Sequence, residues 1–112
     1  MISEELLSEV LNLNKRLNYI VRIKTNILTY SYMNMIADDA QASINIYELA
    51  HKCKEWAKDY NYDIWSGWDT DYYVAKVNPD FDDCCDWTEY CNTEPEAIFK
   101  ACQWILDNKE TK

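Results

Sequence analysis

Apolar residues in "EELLSEVLNLNKRL" recur at Leu6, Val10, Leu13 and Leu17, the spacing of one helix face. Ser3 ahead of them, acids in the first turn and bases near the end predict a capped first helix. In "NYIVRIKTNILTYSYM" the pattern changes to β-branched and aromatic residues broken by "KTN", which predicts two strands and a short turn. Residues 34 to 43, "NMIADDAQAS", have no period and read as a connecting loop. Leu49, Cys53, Trp56 and Tyr60 then mark a second helix face, with Asn45 as its cap. "YNYDIWSG" and "DYYVAKV" predict a second hairpin turning around Gly67 and Asp69. A last helix is announced by Thr93 as cap, Pro95 in the first turn and Glu96 at capping-box spacing, with Ile98, Ala101, Cys102 and Ile105 as its buried stripe.

The predicted order is helix, hairpin, helix, hairpin, helix, an α+β domain spanning residues 1–112. A gapless shift of 43 residues pairs Asn18 with Asn61, Tyr19 with Tyr62 and Tyr30 with Tyr73, the trace of a duplicated helix-hairpin unit. Two such hairpins joined edge to edge make a four-stranded, mainly antiparallel sheet that helices can cover, and that is the expected architecture.

The phrase Thr93, Pro95, Ala97, Ile98 opening the last helix, preceded by a helix and a strand pair, resembles the phage ABA sandwich domain, a family of small phage and prophage proteins. The resemblance covers about residues 44–108. It implies helix-sheet-helix layering and a mobile-element origin, and it transfers no catalytic residue.

Charge narrows the function. The chain carries 20 acids against 11 Lys and Arg, a net charge of −9. Residues 59 to 96 hold eleven of those acids against the single base Lys76. Such a field disfavours direct nucleic-acid binding and anionic membranes, and speeds encounter with a basic protein. No run of about 18 apolar residues is present, and the acidic "MISEELLSEV" does not read as a signal peptide, so a cytoplasmic location is expected. Five cysteines in a reducing compartment read as buried or free thiols, Cys53 and Cys102 on apolar helix faces among them.

The densest chemistry lies in "NPDFDDCCDWTEYC", Asn78 to Cys91. Counting Asn78 as position one of a calcium loop puts Asp80, Asp82, Asp86 and Glu89 at ligand positions three, five, nine and twelve. Asp83 occupies position six, where the sharp turn needs glycine. Cys84, Cys85 and Cys91 can offer thiolates to zinc, although their spacing is not that of a zinc knuckle. A metal-binding module is thus one alternative, and a self-associating domain another. No nucleophile-base pair is legible around His51, the only histidine, and one glycine cannot build a phosphate loop. The expectation is therefore a non-catalytic protein that needs no cofactor.

Aromatic residues crowd the acidic half, and strand alternation cannot bury all of them. Trp65, Trp68, Asp69, Asp71, Asp80, Asp82, Asp83, Asp86, Trp87 and Glu89 are accordingly the candidate partner-binding residues. Rings that fill pockets beside acids that select a basic partner suit a protein-binding surface. One use of such a surface is an accessory inhibitor that occupies the basic groove of a host nucleic-acid-binding or defence protein.

Overall fold

The computed structural model describes residues 2–13, 16–33, 40–79 and 87–109, with side chains placed for all of these except 18–21, 69, 79 and 87–89. Three helices and two small antiparallel sheets alternate along the chain: α1 (Glu4–Val10), β1 (Leu17–Lys24), β2 (Ile27–Tyr32), β3 (Ala40–Asn45), α2 (Ile46–Lys58), β4 (Tyr62–Asp69), β5 (Tyr72–Pro79), β6 (Trp87–Cys91) and α3 (Glu94–Asn108).

Each helix begins where its cap places it. Ser3 Oγ accepts from the Leu6 N–H at 3.1 Å, Asn45 Oδ1 from Tyr47 at 2.8 Å and Thr93 Oγ1 from Glu96 at 3.3 Å. The first helix is shorter than its apolar stripe. Asn12 takes the left-handed conformation at φ 57°, and the N–H groups of Leu13 and Asn12 return to the carbonyls of Ser8 and Glu9 at 2.8 and 3.2 Å. That pair of bonds is a Schellman stop, so Leu13 packs as a buried residue after the helix and Leu17 opens β1.

Thr25 and Asn26, both at positive φ, make the two-residue turn between β1 and β2. In the second hairpin the turn falls at Thr70 and Asp71, not around Gly67 and Asp69, and Gly67 lies inside β4. Two further strands, β3 and β6, lie outside the predicted hairpins. Ala40–Asn45 pairs antiparallel with β2, and Trp87–Cys91 pairs antiparallel with β5. Each hairpin is thus extended into a three-stranded meander, orders β1-β2-β3 and β4-β5-β6, and the expected four-stranded sheet is not formed. The repeating order is a helix followed by three strands, where the sequence was read as a helix followed by two.

The helices lie on the inner faces of the sheets. Leu28 and Tyr30 from β2, Ala75 and Val77 from β5, and Cys91 from β6 join one core with Leu6, Leu49, Cys53, Ile98, Cys102 and Ile105. An extent of 47 × 37 × 17 Å fits one helix layer on one sheet layer, because the short axis has no room for a third. Among the described residues, the helices pack on the inner face of the second sheet and none covers its outer face.

Candidate functional site

Strict alternation along β4 and β5, which pair without a register shift, assigns the described side chains of the second sheet to a face. The pairs Ile64↔Val77 and Ser66↔Ala75 look toward the helices, and Tyr73↔Cys91 continues this face onto β6. The pairs Trp65↔Lys76, Gly67↔Val74 and Val74↔Tyr90 lie on the opposite, outer face, with Tyr72 at its turn end.

That outer face is aromatic. Trp65, Tyr72 and Tyr90 are 54%, 52% and 53% exposed, half in water and half against the sheet. Val74 lies among them outside the core cluster and yet is only 2% exposed. The ring of Trp65 lies across Gly67: a Cβ at that position would stand 2.9 Å from Trp65 Cη2. The chain's one glycine is thus a close-approach position where a hydrogen makes room for an indole, which is why it interrupts a strand and marks no turn. Lys76 Nζ sits 5.3 Å from the Trp65 ring centroid and adds a cation–π contact on the same face.

The corresponding face of the first sheet is mixed among the described residues, with Ile27, 39% exposed, beside polar side chains. Its outer pairs are Thr29↔Ser43 and Ser31↔Gln41, with a hydroxyl contact of 3.0 Å between Thr29 and Ser43.

The structure separates the sequence-predicted residues. Trp65 lies on the aromatic face, over Gly67 of the edge strand β4. Trp68 points to the opposite face by alternation and is 71% exposed at the end of β4, so it does not join Trp65. Asp71 is exposed in the turn beside Tyr72. Asp69 pairs with Tyr72, while Trp87 and Glu89 belong to β6; the side chains of these three are not described. Asp80, Asp82, Asp83, Asp86, Cys84 and Cys85 lie outside the described residues. Cys91 is buried on the helix-facing side of β6. Among the described residues no three His, Cys, Asp or Glu side chains are grouped to hold a metal ion. Sequence reading left out Val74, Lys76 and Gly67 as parts of this surface; alternation carried through a strand that includes Gly67 is the signal that finds them.

The other reactive groups are sequestered or spread. Cys102 Sγ donates to the Cys53 carbonyl at 3.4 Å between α2 and α3. Its hydrogen bond with Cys53, then burial, push the Cys102 thiol well above its ordinary range, so it stays protonated and unreactive. His51 is exposed on α2 and lies 3.3 Å from Glu55. The cleft it lines, about 750 Å³, also receives Lys54, Lys58, Asp63, Trp65 and Asn78, and no serine, threonine or cysteine among the described residues.

No family model matches the chain, and neither a curated protein nor a solved structure matches it.

Proposed function

We propose that this protein is a non-catalytic binding module that docks a basic protein partner on the aromatic face of its second sheet. The carrying observation is the cluster of Trp65, Tyr72 and Tyr90, half exposed around Gly67 and Val74. Tyr and Trp are the side chains that concentrate binding energy at protein interfaces, because they bring large area with few rotatable bonds. Asp63 and Asp71 add carboxylates along the strand and turn, within a chain of net charge −9. That charge selects a partner with a basic surface and opposes nucleic acid. The partner class this favours is a nucleic-acid-binding host protein whose basic groove receives the acidic rim. The resemblance at Thr93 to Ile98 supports a phage or prophage setting for such an inhibitor.

The experiment is affinity capture with quantitative titration of the recovered partner. Trp65→Ala with Tyr90→Ala should weaken binding by at least roughly thirtyfold, the loss of about 2 kcal/mol at an interface anchor. Thr29→Ala with Ser43→Ala, on the outer face of the first sheet, should leave it unchanged. Equal retention by both double variants would place the interface elsewhere.

A further inference from the structure

An open groove of about 1190 Å³ lies away from the aromatic face, between α1 and α2. That volume exceeds the usual range of small-molecule pockets, roughly 300–1,000 Å³, and suits a segment of chain. Its walls carry five carboxylates, Glu4, Glu5, Glu9, Glu55 and Asp59, against two ammonium groups, Lys52 and Lys58. Both an acid and a base of this set are engaged elsewhere: Glu55 by His51 at 3.3 Å and Lys58 by Asp63 at 4.0 Å. Among the described residues, no cationic side chain lies within salt-bridge distance of Glu4, Glu5, Glu9 or Asp59.

The groove also has an aromatic floor. Trp56 and Tyr60 pack at 5.1 Å between centroids, and the Tyr60 hydroxyl donates to Glu9 Oε1 at 3.3 Å. Tyr60 therefore presents a ring and an attached carboxylate together, and both attract the same kind of group. The chain itself supplies an example, for Lys109 Nζ stands 4.5 Å from the Tyr60 centroid. A cation already rests on this ring.

We propose that the groove between α1 and α2 is a second binding surface, and that its occupant is a lysine- or arginine-rich amphipathic segment of a protein partner. The apolar side of such a segment meets Val10, Leu17 and Trp56, and its cations meet Glu5, Glu9 and Asp59 along the walls. The groove is built by the helices and does not depend on the aromatic face of the second sheet.

The probe is an amidated helical peptide patterned with lysine and leucine, titrated calorimetrically at low and moderate salt. Glu5→Gln, Glu9→Gln and Asp59→Asn together should weaken binding by about tenfold, since each exposed pair contributes only tenths of a kcal/mol. Glu48→Gln, Glu94→Gln and Asp107→Asn, an equal change in net charge outside the groove, should weaken it by less than about twofold. Far-ultraviolet circular dichroism verifies that both triple variants are folded. Equal loss in the two triples would show a general field and no groove, and failure of the unaltered protein to bind the peptide would remove the proposal. Glu9→Gln keeps an acceptor for Tyr60, so retained folding is built into the design. A further variant, Tyr60→Leu, should weaken the peptide several-fold; binding indifferent to it would exclude the aromatic floor.

Discussion

Gly67 shows how one residue links local geometry to a surface. Adding a Cβ forces the Trp65 ring away, since 2.9 Å to Cη2 is closer than any real contact of that kind. The ring's far end is half exposed and free to swing, and alanine regains the strand entropy that glycine forfeits, roughly 0.5–1 kcal/mol. Gly67→Ala should therefore change folding stability by less than about 1 kcal/mol while shifting the Trp65 indole resonance and exposing Val74. A large loss of stability with an unmoved indole signal would mean the ring is clamped. Ser66, on the helix-facing side of the same strand, makes the opposite case. Its Oγ is buried with no hydrogen-bond partner among the described residues, so Ser66→Ala should raise stability by about 1 kcal/mol in a denaturant titration.

Cys102 carries the pH dependence. In the unfolded chain the thiol ionises around its ordinary value of 9.0, whereas contact with Cys53 and then burial keep it protonated in the fold. Tyr30 follows the same direction from 10.0, through burial and then the neighbouring Tyr32. A folded state that holds protons more tightly than the unfolded one is stabilised below the unfolded pKa and loses that contribution as pH rises. Stability should hold below pH 9 and decline above it, at up to about 1.4 kcal/mol per pH unit for each retained proton. Cys102→Ala lowers stability throughout by leaving a small cavity, yet it should flatten the decline between pH 9 and 10. An unchanged slope would assign the alkaline loss to other groups.

At the scale of elements, caps and stops were more legible than partners. Ser3, Asn45 and Thr93 act through atoms a few residues away, so their roles could be read directly from the sequence. The stop at Asn12 was also local, but the apolar stripe continued through Leu13 and Leu17 and concealed it; those residues are buried or half-buried for reasons of tertiary packing. Asn12→Ala should cost about 1 kcal/mol in thermal unfolding, because alanine keeps the Cβ that crowds the carbonyl at φ 57° and lacks the short polar side chain that lets asparagine tolerate it, whereas Asn12→Gly should be neutral or better. Equal stability of the two variants would mean that the Schellman turn contributes nothing.

The strands missed by the sequence reading have a different physical origin. Ala40–Asn45 has alanines and polar side chains where a strand signal needs β-branched and aromatic ones, and its backbone bonds go to β2, a partner that local pattern does not reveal. Trp87–Cys91 follows a run dominated by acids and cysteines, whose pattern reads as metal ligands and carries no sign of the pairing with β5. The error carried into the site. With a third strand in the second sheet, Tyr90 stands beside Val74, and the aromatic face becomes a surface rather than a row. Sequence therefore supplied the aromatic inventory, while sheet register selected Trp65, Tyr72 and Tyr90 from it and removed Trp68.

At the scale of the whole molecule, the two meanders share a helix layer unequally. The helix α3 packs on β4, β5 and β6 together, and α2 adds contact with β4. The first sheet is reached by α1 at β1 and by α2 at β3, while its fully buried contribution to the core is carried chiefly by Leu28 and Tyr30. Local opening follows from how much apolar area an element must expose, so the first sheet should open at a lower free energy than the second. Native-state hydrogen exchange checks this directly: backbone amides of β2 should exchange through sub-global opening while those of β5 exchange near the global limit. Ile105→Ala, in the core-facing stripe of α3, should cost about 2–5 kcal/mol and lower protection in β5 and β2 together, because α3 supports the common core. If β2 were instead protected as strongly as β5, the two sheets would be one cooperative unit, and the aromatic face would owe its rigidity to the entire slab and not to α3 beneath it.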